Sequence, residues 1–509
     1  METKNIKNDY DVIIIGGGTS GMGAAYALKG KGYKVAVIEQ LDKLGGTACN
    51  SWVETWIEAL IPPYIENVFE HLPNDEKSGI LDNAWLPTVF AGKSSNGLYM
   101  NGNALSKKYE EDLSSKDIVN IDIFTRTRFV KCLKKDKRVE AVIVTDLRTD
   151  TTNTYTAKFF IDASADGVLC RSAGADYFCG RDRRDLYGES IASEKELDKI
   201  YLNEPSLFFK LEYGFDDSKT LDNYKTVYYD GNKIYNTTNV RIDGYKDVYW
   251  VNPMTGCGDN FGDDGKTPSW IAVLKNGFEE TQRQFEERII EYWKYVKLKL
   301  KVEKKNVGAW TQGHLEYGYA GEHAPFLGIR ETYRIKCIHM LNQNELTKLI
   351  SSKKIEHYIA EGSHGIDFHI PTGLNMDELD RFNGRPDKKN NPRYPQLRPY
   401  GIPYESTVPH NLENVLVCSR CFGASQVALA SARVNMVMAQ LGWAVGNAIR
   451  LCLDERLSDV YLYSNDILIK RLQSSDYTDF KCRVEKLEKK YNDILKSEIE
   501  NKNRECKYS

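Results

Sequence analysis

The chain has 509 residues, enough at roughly 150 per domain for two to four structural units. Apolar residues at 41% against 28% charged give the balance of a globular protein with large cores, which excludes disorder over most of the length. A net charge of −3 supplies no bulk positive field and no basic patch stands out, so no nucleic-acid partner is expected. The cysteines, eleven in all, are spaced irregularly, unlike the dense framework of a small secreted domain. The polar start, Met1 to Tyr10, leads into glycines with no cleavage site, so a reducing, cytoplasmic setting is expected.

Asp11 to Ile15 is a β-branched run, the mark of a strand buried on both faces. Gly16, Gly17, Gly18, Thr19, Ser20 and Gly21 follow at once, and Met22 to Leu28 reads as a helix. Gly32 to Glu39 supplies a second strand, ending in an acid 18 residues after Gly21. In that context Gly16 makes the turn, Gly18 lets the backbone approach a pyrophosphate, and Gly21 permits close helix packing. Thr19 and Ser20 open the helix, whose unsatisfied N–H groups face the phosphates. Glu39 can accept hydrogen bonds from both ribose hydroxyls and disfavours a 2′-phosphate, so a bound dinucleotide is expected.

Leu44, Gly45, Gly46, Thr47 and Ala48 bear on which dinucleotide. They resemble the paired-glycine segment of the flavoprotein superfamily, which runs past the pyrophosphate and ribityl chain of FAD. FAD is therefore favoured over NAD, and Gly45, Gly46 and Thr47 join the candidate cofactor residues. Disulfide-reducing flavoenzymes place a cysteine pair shortly after this segment, but Cys49 has no partner before Trp56. A flavin–disulfide relay is not expected, and Cys49 is either a wall of the flavin pocket or a small packing residue.

Further on, Ile121 to Thr125, Arg128 to Cys132 and Val139 to Val144 read as strands, with a turn at Lys135 to Arg138. Thr154 to Lys158 leads into Phe159 to Gly167, a strand ending in a small-residue loop of the kind the superfamily uses to return to its cofactor domain. Relatives read Asp-Ala-Thr-Gly-Asp there, and this chain has Asp162, Ala163, Ser164, Ala165 and Asp166. The resemblance places Ala163 and Asp166 beside the ADP half, with Ala165 at a position where a positive φ suits glycine.

From about 190 to 400 the composition turns to Tyr, Trp, Asn and Asp, as in a substrate-binding part. Tyr228, Tyr229, Tyr235, Tyr245, Tyr249 and Trp250 alternate with polar residues, either as one packed sheet face or as a stacking surface for a flat ligand. Phe285, Ile289, Trp293, Val296 and Leu300 form the apolar stripe of a charged helix over Glu279 to Leu300. Gly256 to Gly262 has no strand before it and is not a second nucleotide loop. Val427 to Gly446 contains Arg433, Asn435 and Gln440 and reads as a buried helix, so no membrane span is expected.

Leu327 to Arg334, Tyr400 to Pro409, Asn414 to Arg420, Ala424 to Arg433 and Leu441 to Gly446 complete a pattern. With the N-terminal fingerprint it resembles the bacterial FAD-dependent oxidoreductase family distantly related to the fumarate reductase and aspartate oxidase flavoproteins, over roughly residues 10 to 455. The resemblance implies that the strand before Arg420 closes the cofactor domain and that the next segment runs under the isoalloxazine ring. It also places Gly446 in a tightly packed helix near the cofactor. Relatives usually carry Gly before the Arg and His within Ala-Ser-His-Val; this chain has Ser419 and Gln426, the second lacking a ring nitrogen for acid or base work. Cys418 and Cys421 have Cys-x-x-Cys spacing, but no second pair lies nearby and no metal is expected.

Arg330, Glu331, Arg334, Asp367, His369 and Arg433 are the polar residues placed nearest a substrate. His369 is the candidate base, since its ordinary pKa lies near neutrality, and Arg330 and Arg433 can hold a carboxylate or polarise a carbonyl. The expected architecture is α/β: a three-layer FAD-binding Rossmann-like domain from 8–190 and 400–455, an inserted mixed α+β substrate domain over 191–399, and a helical extension over 456–509. In that extension Val484, Leu487, Tyr491, Leu495 and Ile499 share one helix face, which can pack on its own domain or on a second copy as a homodimer. The expected activity is hydride transfer between a small-molecule substrate and flavin N5, with a separate electron acceptor or donor. Two alternatives remain: a flavin-binding sensor or assembly protein without redox turnover, and a lyase or isomerase with FAD in a structural role.

Overall fold

The computed structural model describes residues 6–56, 59–72, 79–81, 97–114, 120–197, 200–203, 205–222, 238–241, 248–252, 278–307, 310–369, 373–384 and 397–508. Tyr228, Tyr229, Tyr235, Tyr245 and the glycine segment 256–262 lie outside the described residues. The centre is a seven-stranded sheet. Ile6–Ile15 pairs in parallel with Val35–Ile38 on one side and Thr151–Asp162 on the other. Ile121–Phe124 and Val415–Val417 extend the parallel array outward.

Ile15 lies opposite both Ile38 and Asp162, so these strands end level and their carboxyl ends share one edge. The β-branched run suits this position because successive side chains point to opposite faces. Val12 and Ile14 enter the hydrophobic cluster under one face, and Ile13 and Ile15 the cluster under the other. An antiparallel ribbon, Thr127–Lys135 and Arg138–Asp146, hangs from the first half of Thr151–Asp162, while the second half of that strand takes Val415–Val417. The ribbon strands run longer than the sequence pattern because their exposed lysine-rich ends carry a ladder without apolar alternation.

Helix Thr19–Leu28 lies against helix Asn435–Asp454 with almost no side chain between them. A Cβ on Gly442 would fall 1.9 Å from the Ser20 carbonyl oxygen, and one on Gly446 would fall 2.6 Å from that of Ala24. Asn435–Asp454 is long and apolar enough to cross a membrane, yet 83% of its apolar window is buried inside the fold, the behaviour of a core helix. The stretch read as one helix is two, Gln426–Ala432 and Asn435–Asp454, and the break sets Arg433 between them.

A second core sits apart from the parallel sheet. Thr238–Arg241, Val248–Asn252, Phe209–Tyr213 and Tyr317–Gly318 form a four-stranded antiparallel sheet. Helix Phe278–Lys301 covers it with the expected stripe, since Phe285, Ile289, Trp293, Val296 and Leu300 are all buried there with Leu211, Trp250 and Val251. This core ends near Ile329, and from Ile335 on the apolar side chains rejoin the clusters around the parallel sheet. Near the C-terminus, helix Phe480–Tyr508 packs Phe480 and Val484 with Ile350, while the side chains of Leu495 and Ile499 lie outside the described residues.

Gly442→Ala should be among the most disruptive single-atom changes in the chain, because backbone, not a flexible side chain, occupies the space. A loss of ~2–3 kcal/mol in unfolding free energy is expected from such overpacking, measured by denaturant titration against Gly313→Ala, where a Cβ would meet nothing closer than 3.9 Å, as the control.

Candidate active site

One cleft of about 670 Å³ opens at the carboxyl edge of the parallel sheet, within the ~300–1,000 Å³ of ligand pockets. Gly16, Gly18, Thr19, Ser20, Glu39, Gly46, Thr47, Ala163, Asp166 and Arg420 line one arm. Arg330, His369 and Arg433 line the other. The first arm is a trough between two glycine segments. Gly45 donates its N–H to the Gly17 carbonyl at 2.7 Å, and Gly46 crosses Gly18 so closely that a Cβ on Gly46 would lie 2.7 Å from the Gly18 Cα. Gly21 does not line the cleft; it permits the turn, since its Cβ would meet the Gly16 carbonyl oxygen at 1.9 Å.

The Glu39 carboxylate is anchored by the N–H groups of Gly17 at 2.7 Å and Leu41 at 2.8 Å, while burial pushes its pKa up. At the helix start, Thr19 Oγ1 and Ser20 Oγ are buried without a hydrogen-bond partner, and so is Arg420 Nε nearby. Buried orphan donors at a helix N-terminus call for an anionic partner. A pyrophosphate-bearing dinucleotide with its ribose on Glu39 fits these residues.

The returning loop is stitched by Asp162, which accepts from Ser164 Oγ at 2.6 Å and from the Cys170 N–H at 2.8 Å. Ala165 has φ +67° and Ser419 has φ +75°, both in the left-handed region that favours glycine. The two residues standing where relatives carry glycine thus keep the glycine backbone at some strain. Between them Arg420 reaches Asp166 at 3.1 Å, and Asp166 also accepts from Thr332 Oγ1 at 2.8 Å.

In the far arm, the Asp367 carboxylate accepts from His369 Nε2 at 2.8 Å and from Arg433 Nη2 at 3.0 Å. Burial opposes its ionisation, but His369, Arg433 and His364 hold it well below the usual carboxylate range. Burial, and then the Arg330 guanidinium, push the His369 imidazole down to about 4 against the pull of Asp367. His369 is therefore neutral at pH 7, donating Nε2–H to Asp367 and keeping Nδ1 as an acceptor. The Asn203 side chain holds the His369 backbone N–H at 2.7 Å. Arg330 donates to Ser206 Oγ at 2.9 Å.

The structure places the remaining expected residues away from the cleft. Gly446 sits in the helix contact with Ala24 and does not line the cleft; its small size serves helix packing. Gly45 faces Cys49, which is buried behind it and lies off the cleft, with burial raising its thiol pKa. Arg334 is locked in a buried bidentate pair with Asp182, and Glu331 accepts from Asn203 and Gln426. Gln426 spans Glu331 and Arg181, so its place is a structural polar network away from the cleft. Cys418 and Cys421 are buried free thiols.

The sequence reading also missed residues. Arg128 and Phe129 line the far end of the trough beside Gln40 and Leu41, and Phe208, Phe326 and His364 line the second arm. Nothing local marks them, because the positions are set by strand order and by the approach of the second core.

A trough for a dinucleotide, continuous with a charged pocket at the carboxyl edge of a parallel sheet, defines a nucleotide-dependent redox enzyme fold. The chain belongs to the FAD dependent oxidoreductase family, which it matches over residues 11–475, and FAD is accordingly its cofactor. Among curated proteins it is similar to the soluble pyridine nucleotide transhydrogenase of Sodalis glossinidius (strain morsitans), 52% identical over 46 residues, covering 9% of this chain and a tenth of that protein. Among solved structures it is similar to the myxobacterial chondrochloren halogenase CndH, a variant of FAD-dependent halogenases, at 12% identity and TM-score 0.41, over 92% of this chain and 79% of the other. The substrate-free rebeccamycin biosynthetic enzyme REBC is similar at 16% identity and TM-score 0.31, over 49% of this chain and 47% of that one.

Ala165→Gly and Ser419→Gly should each stabilise the protein by ~0.5–1 kcal/mol, the left-handed strain relieved less the added unfolded-state entropy, as read by denaturant titration. For His369 the folded pKa lies below the unfolded value, so its contribution to stability is present above pH 6.5 and is lost as pH falls toward 4. His369→Gln should flatten that part of the curve of thermal midpoint against pH.

Proposed function

We propose that the protein transfers a hydride between a small organic substrate and bound FAD, with a separate electron acceptor or donor closing the cycle. The observation that supports this is continuity: the trough of Gly18, Thr19, Ser20 and Glu39 and the pocket of Arg330, Asp367, His369 and Arg433 are two arms of one cleft. When bound, FAD supplies the two-electron chemistry.

The chain's own residues bind, orient and handle protons. Glu39 holds the ribose and the Thr19–Ser20 helix start holds the pyrophosphate. Asp367, kept ionised, fixes the tautomer of His369 so that Nδ1 can accept the proton of a substrate hydroxyl or amine. Arg330 and Arg433, both on that cleft, hold the substrate. A reducing, cytoplasmic setting belongs to this reading, supported by nine described cysteines that are all free. The distant kinship with fumarate reductase flavoproteins also belongs to it, supported by the segments Ala424 to Arg433 and Leu441 to Gly446. Gln426, Ser419 and Ala165, which favoured a sensor, weigh less for it: the first lies off the cleft and the others keep the backbone of glycine.

The purified protein should be yellow and release free FAD on acid precipitation, and anaerobic addition of the right sugar, polyol or carboxylate should bleach it. Gly18→Ala provides the sharper test. The residue has ordinary φ of −73°, and a Cβ there would stand 3.7 Å from its nearest neighbour, so the protein itself tolerates alanine. FAD affinity should nevertheless fall at least ~10-fold, about 1.4 kcal/mol, because the methyl occupies the pyrophosphate approach. Unchanged FAD affinity in Gly18→Ala, or a colourless protein that cannot be reconstituted with FAD, would overturn the reading.

A further inference from the structure

His369 stands on the cleft, but the groups that hold it reach behind the cleft wall. Its ring donates to Asp367 at 2.8 Å, and its backbone N–H donates to Asn203 Oδ1 at 2.7 Å. Asn203 in turn donates twice to one carboxylate, its backbone N–H to Glu331 Oε1 and its Nδ2 to Glu331 Oε2 at 3.0 Å. From the other side Gln426 Nε2 donates to Glu331 Oε1, while Gln426 Oε1 accepts from Arg181 Nη1 at 2.6 Å. The hydrogen bonds thus run toward Glu331 from both directions. Asn203, Glu331 and Gln426 are all buried, and none of them lines the cleft. Helix Gln426–Ala432, which starts this network, also steadies the other end of the same segment. Ala430 accepts the Asp367 N–H at 3.3 Å, and Arg433 binds the Asp367 carboxylate and carbonyl.

We propose that Glu331 is a positioning residue for His369: acting through Asn203, it keeps the base of the cleft in the one tautomer that leaves Nδ1 as an acceptor. This deepens the reading of the cleft as the active site of an FAD-dependent oxidoreductase and rests on it. The polarity of the contacts carries the argument. A side-chain amide can be placed either way round, and its neighbours decide which. Glu331 accepts on both oxygens, so it draws Nδ2 of Asn203 to itself and leaves Oδ1 facing the His369 N–H. In Glu331→Gln either orientation of the new amide sets its NH2 group against a donor, Asn203 Nδ2 on one edge or the Asn203 N–H and Gln426 Nε2 on the other. The Asn203 amide is then free to turn, the His369 N–H loses its acceptor, and the ring leaves its register with Asp367. Asn203→Asp combined with Glu331→Gln exchanges acid and amide across one contact. It keeps charge and volume and again sets a donor against an acceptor at every bond.

The test is nitrogen NMR of the holoprotein carrying isotope-labelled histidine, with the His369 signals assigned by their loss in His369→Gln. The tautomer is read without turnover and the visible flavin band is recorded on the same sample, so this proposal and the cofactor reading can fail separately. The wild-type ring should show a single neutral form with its proton on Nε2. In Glu331→Gln the form with its proton on Nδ1 should rise at least ~10-fold in population, and the double variant should restore the wild-type signal. An unchanged tautomer in folded Glu331→Gln, or a double variant that folds without restoring it, would overturn the proposal. Should Glu331→Gln fail to fold, the double variant decides by keeping or losing the wild-type tautomer. In the wild-type protein itself, a His369 N–H that exchanges with solvent as fast as an exposed amide would also overturn it, and slow exchange supports it.

Discussion

Backbone lies against backbone at the carboxyl edge of the parallel sheet, and the rest of the site depends on that contact. Gly16 meets the Ala163 carbonyl, Gly21 meets the carbonyl of Gly16, and Gly46 crosses Gly18, each at a distance no side chain could share. Because these approaches are made without side chains, the N-terminus of Thr19–Leu28 stands open to the cleft with its hydroxyls and N–H groups unsatisfied by protein. The same helix is held from behind by Gly442 and Gly446 of helix Asn435–Asp454, so the anion-binding end is rigidly backed. A trough built from main chain is insensitive to side-chain motion, which suits the binding of a large cofactor in one pose.

Electrostatics divides the cleft. Around the trough, Glu39 and Asp162 are satisfied by neutral donors, and Asp166 by Thr332 and Arg420. In the far arm, Asp367 is satisfied by a guanidinium and an imidazole, and the two arginines set the field there. Burial first, and then that field, lower the His369 pKa and hold the residue neutral, so it is poised as an acceptor whose basicity depends on its burial and on the positive charge beside it.

At Ala165 and Ser419 a backbone conformation that favours glycine is held by residues that carry a side chain. Both positions turn the chain beside the cleft, and the surrounding pairings hold them there: Ala163 is pinned to Ile15, and Cys418 to Asp162. The cost of a non-glycine residue there is small beside the burial around the turns.

Local order carries much of the message in this chain. The β-branched run from Val12 to Ile15, the spacing of Gly16, Gly18 and Gly21, and the acid at Glu39 together specify strand, turn, helix and strand, because each requirement acts over a few residues and only certain side chains meet it. The stripe on Phe278–Lys301 is legible for the same reason, being a periodicity. Tertiary structure alone decided which polar residues belong to the site. Arg330 and Arg334 are four positions apart and chemically alike, yet Arg334 is consumed by Asp182 from a segment 152 positions away while Arg330 reaches the cleft. Gln426 and Glu331 pair across the core, and Gly446 lets two helices touch that meet only when the chain has closed on itself. A glycine or a buried strand is selected by its own backbone; the role of a charged side chain is set by the partner the fold places beside it, and that partner comes from a distant part of the chain.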